Sequence, residues 1–141
     1  MAAEAMTQSP PLVSVVFSFR NEQENIPVLI DRLEAMFAAE PVDYELIFVN
    51  DASTDRSLAL LLDARARNPR VKAITMSRRF GVAECVRAGM AAASGDAVVY
   101  MDADLQDPPE LIPRLRCMAH ITGLPLDARS ITDELTSMEG K

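Results

Sequence analysis

Two aspartates and a glutamine, Asp102, Asp104 and Gln106, are separated by single residues and follow an apolar stretch. In extended backbone this spacing places all three side chains on one face. Neighbouring carboxylates repel each other unless a cation lies between them, and hard oxygen ligands of this kind suit Mg²⁺ or Mn²⁺. Because Mg²⁺ is usually held by one or two carboxylates and the phosphates of a substrate, the pattern predicts a metal ion that carries a nucleotide diphosphate.

The residues on either side indicate which elements position this pattern. The apolar residues 97–101 predict a buried strand before it. After it, Asp107, Pro108 and Glu110 have the residue types of an N-cap, a first helical position and a capping box. A solvated acidic turn that caps a helix would share these features. The place beyond a buried strand favours a ligand site, because open α/β sheets bind ligands beyond the carboxyl ends of their strands.

Strand-like and helix-like segments alternate four times along the chain. Apolar runs predict strands over residues 12–19, 44–50, 71–76 and 97–101. Helical spacing of apolar residues follows each of them. The clearest such pattern consists of Val82, Cys85, Val86, Gly89, Met90 and Ala93, and Gly95 has the residue type that ends a helix. The alternation predicts an α/β fold in which helices cover both faces of a parallel sheet.

Length and composition restrict the class of protein. The 141 residues suffice for one modest domain, and the scarcity of aromatic residues predicts an aliphatic core. A net charge of −7 argues against nucleic-acid binding, which needs a basic surface. The two cysteines form neither a disulfide framework nor a zinc motif. Because no apolar run approaches a membrane span, we expect a cytoplasmic protein that is at most peripheral at the cytoplasmic membrane face.

Polar residues follow each predicted strand, at 20–22, 50–51, 77–79 and 102–106. In a doubly wound sheet these strand ends face one crevice. The turn after the first strand has no glycine-rich dinucleotide motif, and the chain has no Walker-type lysine motif. Phosphate charge would therefore be met by the metal. Arg78 and Arg79 could contact a pyrophosphate, and a solvated loop is an equally good interpretation of them.

Four segments together resemble the family 2 glycosyltransferases of GT-A fold. The segments are SVVFSFRNEQENIPVLIDRL (14–33), YELIFVNDASTDRSL (44–58), VKAITMSRRFG (71–81) and GDAVVYMDADLQDPPELIPRL (95–115). The resemblance is strongest to polyprenyl- or dolichyl-phosphate hexosyltransferases, in which the run Asp-Ala-Asp-Leu-Gln-Asp-Pro-Pro-Glu is typical. It implies a Rossmann-like GT-A nucleotide-diphospho-sugar transferase half-domain, with a donor-binding domain over residues 12–120.

The resemblance also implies an activity and a set of site residues. The activity is transfer of a hexose from UDP-hexose or GDP-hexose to a polyprenyl phosphate, undecaprenyl or dolichyl, with Mg²⁺ or Mn²⁺. Asp51 would hold the base, and its alternative role is to cap the following helix. The implied nucleotide-binding residues are Ser18, Phe19, Arg20, Glu22, Asp51, Asp102 and Ala103. The implied metal ligands are Asp102, Asp104 and Gln106.

The ends of the chain are predicted to differ from the middle. Residues 1–11 are expected to form a disordered leader, and residues 121–141 form a divergent tail without family motifs. We therefore expect a truncated chain that holds the donor half of an enzyme and transfers no sugar alone. The alternative is a catalytically incompetent fragment that binds a nucleotide or a partner. A third, weaker interpretation is a nucleotidyltransferase built on a similar sheet.

Overall fold

The computed structural model describes residues 10–106 and 108–113. Four features predicted from the sequence lie wholly or partly outside this range. They are residues 1–9 of the leader predicted over 1–11, the predicted N-cap Asp107, the fourth helix beyond residue 113 and the tail over 121–141. None of the helices within the described range is long and apolar enough to cross a lipid bilayer.

Four strands alternate with three helices in the described residues. In chain order the elements are β1 (Leu12–Phe19), α1 (Ile26–Ala38), β2 (Asp43–Asn50), α2 (Ser57–Arg67), β3 (Val71–Thr75), α3 (Val82–Ala92), β4 (Ala97–Asp102) and a short 3₁₀ turn (Pro109–Leu111). The four predicted strands are confirmed, and each observed end lies within one residue of its predicted position.

The strands form one parallel sheet in the order β3-β2-β1-β4. The chain runs outward from β1 through β2 to β3 and then returns to place β4 on the other side of β1. In the sheet register, Phe19 is aligned with Asn50 and Ser18 with Asp102. The strand order therefore reverses between β1 and β4, which is where doubly wound sheets bind their ligands.

Apolar residues fill both faces of the sheet. On one face the strands pack against α1 and α2, and the rings of Phe17 and Phe48 stack with centroids 4.6 Å apart. On the other face a smaller core forms against α3. The prediction of helices on both faces is thus confirmed. The prediction of an aliphatic core was wrong in one respect, because four phenylalanines are buried: Phe17, Phe19, Phe37 and Phe48.

Helix α3 lies very close to the sheet because Gly89 has no side chain. A Cβ atom on Gly89 would lie 2.3 Å from Cγ1 of the buried Val16. Cys85 and Gly89, one helical turn apart, are the buried residues of this helix. Val82 and Met90, predicted on the apolar face, are instead 58% and 39% exposed. The buried stripe is narrower than predicted because it is centred on those two small residues.

The prediction that Gly95 ends α3 is wrong. The helix ends at Ala92, and Gly95 is not among the residues with positive φ. A Cβ atom on Gly95 would lie 2.5 Å from Oγ of Ser14 and 2.7 Å from its backbone nitrogen. Only glycine fits here, because the backbone at residue 95 lies so close to β1. The Gly95 N–H donates a hydrogen bond to Ser14 Oγ of that strand (2.8 Å).

Glu110 pairs with an arginine of α1, and the capping box predicted for it with Asp107 lies outside the described residues. Its carboxylate accepts two hydrogen bonds from the guanidinium of Arg32 in α1, at 3.0 Å from Nε and 2.6 Å from Nη2. Pro108 is extended, with ψ of 127°, and precedes the 3₁₀ turn instead of starting an α-helix. This ion pair joins the 3₁₀ turn to α1.

Candidate functional site

A cleft of about 310 Å³ opens at the carboxyl ends of the strands. Its lining consists of Ser18, Phe19, Arg20, Glu22, Asp51, Arg79, Gly81, Val82, Cys85, Asp102, Ala103 and Asp104. All seven predicted nucleotide-binding residues are in this set, together with the predicted metal ligand Asp104. Sequence reasoning missed Gly81, Val82 and Cys85, which enter the cleft only because α3 begins directly above it.

The loops after β1 and β2 are joined by hydrogen bonds through Asn21, which is next in sequence to two residues of the cleft lining. Asn21 has a positive φ of 57°, and its backbone N–H donates to Ser53 Oγ (3.0 Å). Its side-chain oxygen accepts the backbone N–H of Thr54 (2.8 Å). Asn21 lies between Arg20 and Glu22, which both line the cleft. This asparagine, which sequence reasoning did not single out, sets the course of the loop that carries them.

Asp51 fixes the loop between β3 and α3. Its two carboxylate oxygens accept the backbone N–H groups of Phe80 (2.7 Å) and Gly81 (3.0 Å). It does not cap α2, because that helix begins at Ser57, whose N–H donates to Asp55 Oδ1. The capping alternative for Asp51 was therefore wrong. The contact of Asp51 with the base stays a prediction. Both oxygens of this carboxylate already accept a backbone N–H.

Cys85 forms part of the cleft lining from the α3 side and is completely buried. Burial, followed by the negative charge of Asp51, raises the pKa of its thiol to about 11. Because the reactive form of cysteine is the thiolate, the neutral thiol acts here as a small core residue. Core packing was the role predicted from its place on the helix.

Asp102 and Asp104 occupy the part of the cleft wall formed by the end of β4. The strand ends at Asp102, and Leu105 has a φ of 65°. The Asp104 carboxylate accepts the backbone N–H of Gln106 (3.1 Å) across this turn. Gln106 is exposed and is not part of the cleft lining. The extended backbone that would have placed all three side chains on one face thus ends before Gln106.

The two arginines after β3 have different surroundings. The Arg78 guanidinium lies over the ring of Phe80, 4.5 Å from its centroid. Arg79 lines the cleft. Only Arg79 is therefore placed to meet a ligand within the cleft, and a guanidinium there suits a phosphate group.

Formal charge makes the cleft unsuited to an anion by itself. Four carboxylates line it, those of Glu22, Asp51, Asp102 and Asp104, against the guanidinium groups of Arg20 and Arg79. A nucleotide diphosphate would meet net repulsion unless a divalent cation entered with it. Among the described residues, no cluster of three or more Asp, Glu, His or Cys side chains could hold a metal alone. This donor set fits Mg²⁺ or Mn²⁺, which complete their coordination with phosphate oxygens and water.

Solved structures of similar fold define the class of protein. Glucosyl-3-phosphoglycerate synthase of Mycobacterium tuberculosis matches with a TM-score of 0.55 and 31% identity, over 73% of this chain and 38% of that one. The mannosyltransferase PcManGT of Pyrobaculum calidifontis, solved with GDP-Man and Mn²⁺, matches with a TM-score of 0.56 and 24% identity, over 74% and 30%. The fold is that of the GT-A glycosyltransferases.

Residues 14–119 match the model of the family described as Glycosyl transferase family 2. The chain belongs to this family. It is 43% identical over 109 residues to an undecaprenyl-phosphate 4-deoxy-4-formamido-L-arabinose transferase of Yersinia enterocolitica, covering 76% of this chain and 33% of the relative. It is 46% identical over 99 residues to an uncharacterized glycosyltransferase, YkcC, of Bacillus subtilis, covering 70% and 31%. The chain spans about a third of the length of these curated relatives.

Proposed function

We propose that the chain provides the donor site of a glycosyltransferase that moves a hexose from UDP-hexose or GDP-hexose to a polyprenyl phosphate. The observation that carries this proposal is the acidic cleft at the point where the strand order reverses, with Asp102 and Asp104 in its wall. Such a cleft accepts a diphosphate only together with a cation. Family membership and the nucleotide sugars in the names of structural neighbours support the same substrate class.

Each part of the cleft would have its own task in binding the donor. Asp102 and Asp104 would hold Mg²⁺ or Mn²⁺, which would neutralise the diphosphate as its bond to the sugar breaks. Arg79 would contact the pyrophosphate from the opposite loop. Ser18, Phe19 and Asp51 would line the end of the cleft that holds the nucleoside. There the ring of Phe19 gives the cleft wall an apolar part. Gln106 would reach the metal only if the turn around Leu105 changed its course.

The proposed acceptor follows from the relatives and from acid–base chemistry. The Yersinia relative is named as an undecaprenyl-phosphate transferase. A phosphate acceptor is already an anion at neutral pH, so it needs less help from a general base than a sugar hydroxyl does. Such an acceptor lies in a membrane, and we therefore propose that the protein works peripherally at the cytoplasmic membrane face.

The donor and acceptor can be tested together. Binding of UDP- and GDP-hexoses to the full chain is measured by calorimetry with Mn²⁺, and a radiolabelled donor is then incubated with polyprenyl phosphate in vesicles. Radiolabelled lipid that disappears in Asp104→Ala would establish transfer by this chain. Donor binding without radiolabelled lipid would mean that this chain binds the donor and does not transfer the hexose by itself, as expected from the sequence. Failure of every nucleotide sugar to bind would contradict the proposed function.

A further inference from the structure

A chain of hydroxyl groups links β1 to the carboxylate of Asp102. Ser18 Oγ lies 2.8 Å from Tyr100 Oη, and Tyr100 Oη lies 2.7 Å from Asp102 Oδ1. An ionised carboxylate can only accept, so Tyr100 donates its single proton to Asp102. Tyr100 must then accept the proton of Ser18. The direction of both hydrogen bonds is thereby fixed.

The sheet brings these three residues together. Tyr100 and Asp102 are two residues apart on β4, so their side chains leave the same face of the strand. Ser18 is aligned with Asp102 in the parallel pairing of β1 with β4. The Tyr100 ring packs against the smaller core beneath α3. Its hydroxyl is therefore held in place by a packed ring and by a neighbouring strand.

We propose that Tyr100 is a positioning residue, which holds the Asp102 carboxylate in the orientation that binds the metal–diphosphate pair. The proposal rests on the proposed function and adds to it a residue outside the cleft lining. A hydrogen bond to a charged acceptor is among the stronger ones in proteins. With Oδ1 engaged in this way, Asp102 keeps one rotamer before the ligand arrives, and binding does not have to order it.

The variant Tyr100→Phe tests this role because it keeps the ring and removes only the hydroxyl. Bound and free Mn²⁺ are measured by electron paramagnetic resonance, in the presence of whichever of UDP or GDP the wild-type chain binds. We expect the Mn²⁺ affinity to fall by about 10- to 100-fold, the usual loss when the partner of a metal ligand is removed. Tyr44→Phe is the matched control, since the Tyr44 hydroxyl accepts a hydrogen bond from Asn68 Nδ2 (3.2 Å), away from the cleft lining.

A double-mutant cycle separates positioning from a general structural effect. If Tyr100 acts through Asp102, then Tyr100→Phe costs no further Mn²⁺ affinity in the Asp102→Ala background. Thermal unfolding of Tyr100→Phe and Tyr44→Phe should show similar melting temperatures, because each variant loses one partly buried hydroxyl. Unchanged Mn²⁺ affinity in Tyr100→Phe, or equal losses in both backgrounds, would overturn the positioning role alone. Absence of Mn²⁺-dependent nucleotide binding in the wild type would overturn the proposed function, and this role with it.

Discussion

The carboxylate of Asp51, at the end of β2, accepts the backbone N–H of Gly81, at the start of α3, with an Oδ2–N distance of 3.0 Å. Its other oxygen accepts the N–H of Phe80. Gly81 has a φ of 95°, a conformation that other residues adopt only with strain. One side chain and one glycine thus set the course of the loop that brings Arg79 to the cleft.

Replacement of Asp51 by alanine should weaken the binding of every diphosphate. The backbone N–H groups of Phe80 and Gly81 would lose their acceptors. The loop between β3 and α3 would then no longer hold Arg79 beside the pyrophosphate. We expect affinity for UDP or GDP and for inorganic pyrophosphate to fall together by about tenfold or more, since a lost hydrogen bond to a charged group costs about 1.5–3 kcal/mol. Calorimetry in the presence of Mn²⁺ measures both ligands.

The control for this experiment is Asp55→Ala in the neighbouring loop. The Asp55 carboxylate accepts the backbone N–H groups of Ser57 and Gln23, and Asp55 is not part of the cleft lining. Its removal should leave pyrophosphate binding unchanged. A loss in Asp51→Ala that is confined to the nucleotide would instead support the base-binding role predicted from the family resemblance.

Gly89→Ala should destabilise the protein although alanine is the better helix former by about 1 kcal/mol. The new methyl group would overlap Val16, and overpacking of this kind costs about 1–3 kcal/mol. Urea unfolding measures the change in free energy. The double variant Gly89→Ala with Val16→Ala should regain part of the stability relative to Val16→Ala alone. A more stable Gly89→Ala single variant would show that α3 does not lie as close to the sheet as described.

Acid should destabilise the fold through Glu45, which is almost fully buried at the opposite end of the sheet from the cleft. Burial alone would raise the pKa of Glu45, but hydrogen bonds from Lys72, Ser14 and Ser94 outweigh it and lower the pKa to about 2. The folded pKa lies below the unfolded value of 4.5, so the stabilisation is complete above pH 4.5 and is lost as the pH falls towards 2. Its full size is about 3 kcal/mol.

Chemical unfolding of Glu45→Gln between pH 7 and 3 tests this assignment. The variant should be less stable at pH 7 and should lose less stability on acidification than the wild type. Asp43→Asn is the control: Asp43 lies on the same strand as Glu45, but its ion pair with Arg70 is about half exposed, so its loss should change the acid slope little. An acid slope in Glu45→Gln that equals that of the wild type would show that other carboxylates are responsible.

The strands and the cleft could be predicted because local patterns determine them. Apolar runs such as residues 12–19 form strands in a parallel sheet, and the polar residues that follow them must then share one edge. Asp102 and Asp104 line the cleft for this reason. Gln106 does not, because the turn at Leu105 depends on a positive φ that the spacing of residues does not reveal.

Partners distant in sequence account for what could not be predicted. Asp51 has the residue type of a helix cap, yet its acceptors are used by amides 29 and 30 residues further along the chain. Glu110 pairs with Arg32, 78 residues earlier in the chain. Both contacts form only in the folded chain, and no local sequence pattern predicts them.

We propose that Asp102 and Asp104 together bind a nucleotide diphosphate through a divalent cation. The most direct test is calorimetric titration of the full chain with UDP and with GDP, in Mn²⁺ and again in EDTA. Asp104→Asn is compared with Asp63→Asn, which changes an exposed acid in α2. We expect binding that requires Mn²⁺ and weakens by about tenfold or more in Asp104→Asn alone, because a lost interaction with a charged group costs about 1.5–3 kcal/mol. Equal nucleotide affinity in Mn²⁺ and in EDTA would contradict a metal-dependent site. Equal nucleotide affinity of the wild type, Asp104→Asn and Asp63→Asn would contradict the role of Asp104.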